Sequence, residues 1–291
     1  MPEAGSIIKT ESQMSATALR PSVQPLPRFE GLVESWRADG QPGRGTAPAG
    51  LVLICDHASN LLPEGIAALG GDLGIDPATR VSHAAWDIGA LGLARALAPR
   101  LAPATGGVVL VSAPLSRLVY DLNRAPDHPA AMPQKSEVHE IPANRTLSPA
   151  DRLARTEAVC LPFHTTLSTE IARLVAQGRR PALIAVHSFT PVYFGKMRSV
   201  EFGVIHDDDT ALSLAVLAAA QGCGLNTQLN EPYSAAGDVT HTIRLHAVPM
   251  RLANTMLEVR NDLIADAPAQ AAMADRLAPV LARALRAAGC L

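Results

Sequence analysis

Aromatic side chains are scarce, with 2 Trp, 3 Tyr and 5 Phe in 291 residues. That is too few for the stacking platform of a single-stranded nucleic-acid binder. Neither sign of charge predominates, since 25 Lys and Arg face 27 Asp and Glu. No nucleic acid and no anionic membrane surface is therefore expected as a partner. The four cysteines, Cys55, Cys160, Cys223 and Cys290, lie far apart without a C-x-x-C. Their spacing signals neither a thiolate zinc site nor a thioredoxin-type pair, and Cys55 in its apolar run reads as a buried thiol. No apolar stretch reaches the ~18 residues that a membrane span needs. The first residues carry Glu3, Lys9 and Glu11 and no apolar signal core, so the expectation is a reduced, cytoplasmic protein. Gly70-Gly71-Asp72-Leu73-Gly74 has neither the spacing nor the preceding strand of a dinucleotide fingerprint, and P-loop and G-x-S-x-G motifs are missing.

What is present is apolar surface for a sizeable core: 48% of residues are hydrophobic, which excludes wholesale disorder. Residues 1–28 are polar, non-periodic and rich in Pro at their end, and are expected to form a flexible tail. Residues 29–291 are expected to form a single α/β domain. Phe29 to Trp36 suits a short helix or strand, and Gly40 to Gly50 a loop. Leu51 to Cys55 is a short continuous apolar run, the mark of a buried parallel strand. Further strands are expected at Gly106–Ser112, Pro181–Val186, Val200–Ile205 and Thr255–Val259, with Arg117–Arg124 a strand leading into a loop. Trp86–Leu101, Thr210–Gln221 and Met273–Ala288 read as helices. A long helix is expected from Ser148-Pro149-Ala150-Asp151, which has Pro at N1 and an acid in the first turn, to Gln177. Residues 125–147 form a loop long enough to be functional. This alternation predicts a mixed, largely parallel sheet flanked by helices.

Two strands end in histidine, His57 and His187, where open α/β sheets bind ligands. Neutral imidazole is a good zinc ligand, and a catalytic zinc takes about three protein ligands and leaves one position open. Asp87, His83 and Asn60 are the alternatives for a third ligand, and Asp56 could orient a histidine. Glu258 interrupts an apolar run. It lies either on an exposed face or in a site where burial would raise its pKa and suit it to general-base work. Arg117, Asn123 and Arg124 could grip an anion, since arginine forks bind carboxylates bidentately. His206-Asp207-Asp208-Asp209 imitates a metal cluster but fits the N-cap and first turn of the following helix.

The segments CDHASN (55–60) followed by Pro63, HAAWDIGA (83–90), SRLVYDLNR (116–124), HSFTP (187–191) and NEPYSA (230–235) resemble, in order and spacing, the N-formylglutamate amidohydrolase family. The resemblance spans about residues 30–265. It implies a zinc-carboxypeptidase-like (phosphorylase/hydrolase-like) fold, shared with aspartoacylase and succinylglutamate desuccinylase. It also implies one Zn²⁺ and hydrolysis of the linear amide of a small anionic N-acyl amino acid such as N-formylglutamate. Carried over residue by residue, His57 and His187 become metal ligands. The usual H-x-x-E reads His57-Ala58-Ser59-Asn60 here, so the acid is missing and Asp87 is favoured in its place. Asn123 and Arg124 resemble the pair that holds the substrate carboxylate, with Asn60 beside them. Arg117 resembles the arginine that polarises the scissile carbonyl, and Glu258 the glutamate that activates water. Other acyl-amino acids or short peptides as substrates, or a binder without turnover, are the alternative expectations.

Overall fold

Seven strands make the central sheet: β1 (Leu32–Arg37), β2 (Leu51–Cys55), β3 (Gly107–Ser112), β4 (Ala182–Phe189), β5 (Phe202–Ile205), β6 (Thr227–Leu229) and β7 (Asn254–Arg260). They come from a computed structural model that describes residues 26–43 and 50–291. The tail expected over 1–28 lies almost wholly outside these residues. The strand order is β1-β3-β2-β4-β7-β5-β6. The edge strand β1 runs antiparallel to β3, and β7 antiparallel to β5, while β3-β2-β4-β7 and β5-β6 pair in parallel. The sheet is thus mixed and largely parallel, as its apolar runs imply. Strands β2, β3, β4 and β5 are buried at every position, which demands helices over both faces.

The helices are α1 (Pro77–Val81), α2 (Ala90–Thr105), α3 (Pro149–Arg155), α4 (Leu161–Ala176), α5 (Ala211–Ala219), α6 (His241–His246) and α7 (Ala267–Ala287). Helices α2 and α5 pack on the strands, and α7 packs on both of them. Helix α4 meets α6 through His164 and His246, whose stacked rings lie 5.1 Å apart. The long helix expected from Ser148 starts there, with Ser148 and Asp151 forming a reciprocal capping box. A π turn at Thr156–Cys160 joins its two parts.

Some boundaries differ from the pattern. Helix α2 begins at Ala90 rather than Trp86 because Gly89, at φ +81°, turns the chain there. A Cβ at Gly89 would meet the Ile264 carbonyl oxygen at 2.2 Å, so the turn requires glycine. Arg117–Arg124 forms turns instead of a strand, since Ser116, Asp121 and Asn123 bind local and distant backbone groups instead of a ladder. Helix α7 begins at Ala267, capped by Asp266 and six residues before the apolar pattern becomes visible. The loop 125–147 contains a short hairpin, Lys135–Ser136 with His139–Glu140.

Candidate active site

Three adjacent parallel strands deliver the polar residues. β2 ends in Cys55 and is followed at once by Asp56 and His57, β4 carries His187 and Ser188, and β7 carries Glu258, which pairs in register with His187. This is the carboxyl edge of the parallel strands, where α/β sheets hold ligands. On the other side of β7, Glu258 faces Gly203. A Cβ at Gly203 would stand 2.0 Å from the Glu231 carbonyl oxygen and 3.1 Å from the Glu258 Cβ. Glycine is what lets the 230–235 segment approach Glu258.

Asp87 lies three residues before α2 and caps nothing. The turn at Gly89 aims its side chain inward, and its backbone N–H donates to the His57 carbonyl at 2.9 Å. Its Oδ2 stands 3.4 Å from His57 Nδ1 and 2.8 Å from His187 Nδ1. Each ring meets a second acid on its far side. His57 Nε2 lies 2.7 Å from Asp121 Oδ1, and His187 Nε2 lies 3.0 Å from Asp56 Oδ1. Asp56 is held in turn by Thr242, whose hydroxyl donates to Oδ2 at 2.6 Å. Arg117 bridges the acids, with Nη2 2.7 Å from Asp121 Oδ2 and Nη1 3.4 Å from Asp87 Oδ1.

Buried polar atoms normally have partners; here His57 Nδ1, His187 Nε2, Asp56 Oδ1 and Glu258 Oε2 have none in hydrogen-bonding geometry. Asp56, His57 and His187 form a group able to hold a metal ion, with ligand atoms all within 4.8 Å of one another. The charge balance points the same way. Burial and the Arg117 charge oppose protonation of His57, yet Asp121 and Asp87 outweigh them and raise its pKa. Burial likewise opposes charge on His187, but Asp56 and Asp87 hold its pKa well above the ordinary value. Three buried carboxylates around two imidazoles and one guanidinium make a strongly cation-seeking centre. Burial pushes Glu258 up to about 7, with the Asp87 charge adding to the rise and the neighbouring cationic groups resisting it.

A cleft of about 320 Å³ opens onto this centre. His57, Asp87, His187, Glu258, Arg117 and Arg124 all line it, and Asn123 does too. Asn123 is committed to structure, however. Its Oδ1 accepts from the Thr242 N–H at 2.9 Å and its Nδ2 donates to the Val239 carbonyl. Arg124 donates to the Asp238 carbonyl and has a buried Nε without a partner. Asn60 is half-buried and is not among the lining residues. His83 lines the cleft, but its Nε2 faces Glu137 at 2.9 Å. His206 and Asp207–Asp209 lie apart, with Asp207 bonded to Thr240 and Arg244 and Asp209 to the Ala211 N–H at the start of α5. Asp121, Phe189, Tyr193 and Tyr233 are among the site residues that the pattern did not single out. The available signal was Asp121 standing four residues after Arg117 in an apolar segment.

The chain is similar to known proteins over most of its length. A family profile, N-formylglutamate amidohydrolase, matches residues 49–265. A solved gene product of Agrobacterium tumefaciens shares 43% identity, covering 89% of this chain and 95% of its own with a TM-score of 0.78. An N-formylglutamate amidohydrolase of Ralstonia eutropha shares the fold at 16% identity, covering 88% of this chain and 97% of its own with a TM-score of 0.58. A search of curated proteins finds no match. Among the described residues no helix is long and apolar enough to cross a membrane. The chain belongs to the N-formylglutamate amidohydrolase family and is a hydrolase of linear amides.

Proposed function

We propose that the protein hydrolyses the amide of a small, anionic N-acyl amino acid in a zinc-dependent reaction. N-formylglutamate, the substrate in the family's name, is the reference compound. The observation that supports the reading is the meeting of His57 Nδ1, Asp87 Oδ2 and His187 Nδ1, from three residues that all line the cleft. The edges of 3.4 and 2.8 Å are close to the ~3.3 Å between ligands at ~2.0–2.1 Å around a tetrahedral zinc.

Asp56 competes with Asp87 for the third ligand position, and one ion cannot use both nitrogens of His187. The unpartnered nitrogen of His57 is Nδ1, which faces Asp87, and that of His187 is Nε2, which faces Asp56, so access from the cleft decides between the two acids. Asp87 lines the cleft and Asp56 does not. Asp87 is therefore assigned to the metal, and Asp56 and Asp121 to the outer nitrogens of the two rings, where they fix tautomer and orientation.

Bound there, zinc would supply Lewis acidity at the scissile carbonyl and acidify water toward a pKa of ~7. Glu258, poised near neutrality, takes the proton of the attacking water and passes it to the departing amine nitrogen. Arg117 keeps N–H groups beyond its two carboxylate contacts and can donate to the developing oxyanion. Burial opposes its charge, but Asp121 and Asp87 outweigh burial and hold it protonated. Arg124 receives the α-carboxylate and so positions the amide.

Zinc titration of Asp87→Asn and Asp56→Asn, with release of free amino acid from N-formyl substrates, tests the assignment. Asp87→Asn should lose most activity and the larger part of zinc affinity, and Asp56→Asn should weaken zinc by about 10–100-fold. Tighter zinc binding by Asp87→Asn than by Asp56→Asn would reverse the two roles.

A further inference from the structure

Four of the chain's ten aromatic residues gather at one place, Phe189, Tyr193, Phe194 and Tyr233. Phe189, Tyr193 and Tyr233 form one wall of the cleft. Arg198 backs this wall without lining the cleft. Its guanidinium carbon lies 4.4 Å from the ring centre of Tyr193, 5.0 Å from that of Tyr233 and 5.6 Å from that of Phe189. It also donates to the Tyr233 hydroxyl at 3.1 Å. A guanidinium stacked on three rings and bonded to one of them stiffens the wall.

The cleft itself has two arginines. Arg117 is occupied by Asp121 and Asp87. Among the described residues the hydrogen-bond partners of Arg124 are the Asn123 and Asp238 backbone carbonyls, and its buried Nε is unpartnered. The lining thus offers one seat for a carboxylate. N-formylglutamate carries two. Its side-chain carboxylate would have to lose water against ring faces, which repel anions.

We infer that this enzyme prefers N-acyl amino acids with a single carboxylate, held by Arg124, and an aromatic or large apolar side chain lying on Tyr193 and Tyr233. The inference rests on the proposed function and narrows its substrate class. The two tyrosines are specificity-determining residues, and they act on side-chain choice rather than on bond cleavage.

The test compares kcat/KM of the zinc-loaded enzyme for N-formyl-phenylalanine, N-formyl-leucine, N-formylglutamine and N-formylglutamate. Phenylalanine should exceed glutamate by roughly tenfold or more, the scale of an aromatic contact plus an unpaired carboxylate. Glutamine should also exceed glutamate, since it keeps the shape and removes the charge. Tyr193→Ala and Tyr233→Ala should each lower kcat/KM for the phenylalanine compound more than for the leucine compound, and so shrink the phenylalanine-to-leucine ratio.

A direct titration of Glu258→Gln with the phenylalanine and glutamate compounds reads side-chain preference without turnover. No hydrolysis of any compound together with tighter binding of the phenylalanine one would refute the proposed chemistry and support the side-chain class. Hydrolysis with N-formylglutamate as the best substrate would leave the chemistry standing and overturn the inference. Selective loss of that preference in Arg198→Leu would then identify Arg198 as the second carboxylate seat.

Discussion

Replacing Asp121 disturbs the site at the point where most of its contacts converge. One carboxylate, 3% exposed, accepts from His57 Nε2 at 2.7 Å, Arg117 Nη2 at 2.7 Å and the Asn123 N–H at 3.0 Å. Burial disfavours its charge, but Arg117 and His57 hold its pKa well below the ordinary range. Asp121→Ala leaves two buried N–H donors without an acceptor, at ~1–3 kcal/mol each. The Arg117 side chain is 27% exposed, so water replaces part of its lost partner. A total near 4 kcal/mol is expected, within the ~3–5 kcal/mol typical of a buried pair that has lost one member.

Asp121→Asn separates the roles. The amide oxygen can still accept from His57 and from the Asn123 N–H, while the NH₂ group now faces Arg117. Stability should fall by only ~1–2 kcal/mol, because one charged contact is lost and the neutral ones stay. Without the carboxylate behind Nε2–H, His57 Nδ1 is a weaker donor, and zinc affinity should drop by about 10–100-fold. At saturating zinc, kcat should fall more than KM rises, because Arg117 loses an anchor needed in the transition state. Urea midpoints, zinc titration and steady-state kinetics on the two variants check each part. Zinc affinity and kcat within twofold of wild type in Asp121→Asn would show that the charge of Asp121 does not serve the site.

Glu258→Gln should lower kcat by about 10²–10⁴-fold, the usual weight of a general base, with zinc content unchanged by elemental analysis. Arg124→Ala should cost roughly ten- to several-hundred-fold in kcat/KM for acids, and much less for substrates whose α-carboxylate is amidated. Equal losses on both kinds of substrate would make Arg124 structural. The buried pair His164–His246 should make the fold acid-labile. Burial, and repulsion from neighbouring imidazoles, depress His164 to about 3 and His246 to about 4. Between those values and the unfolded value near 6.5 the unfolded chain binds more protons, so stability falls as pH drops through that window. A loss on the order of 3 kcal/mol from pH 7 to pH 5 is expected. It should be smaller in His246→Asn, and equal losses in both proteins would exclude the pair as the cause.

Strands β2 and β4 are legible because each contains a short, continuous apolar run. Leu51–Cys55 and Ala182–Phe189 are buried at every position, and apolar runs that are short and bounded by polar or turn residues suit a buried strand better than a helix of about ten or more residues. Helix ends with side-chain caps are legible in part. Ser148 and Asp151 signal one in the sequence, but Asp266 caps α7 ahead of an apolar pattern that begins only at Met273. Edge and satellite elements are not legible. β6 spans three residues that are all only half-buried, and α6 has six residues with no side-chain cap. Tertiary contacts decide such pieces.

The same division runs through the site. His57, His187 and Glu258 sit on or directly after strands, so their direction follows from pleat and register. Asp87 was ambiguous because an acid just before a helix pattern is normally read as serving the helix N-terminus. Only the glycine turn at Gly89, required by the approach of Ile264, frees its carboxylate to face both imidazoles. Asn123 lines the cleft and is also tied to the fold. Its residue type suits a substrate ligand, yet the 239–242 segment satisfies both ends of its amide, leaving it to brace Thr242, which holds Asp56 behind His187. Asp121 was hidden because its partners His57 and Arg117 converge only after β2 and the 116–124 turns pack together. A carboxylate that organises a cation centre is recognised by what surrounds it, and that information is tertiary.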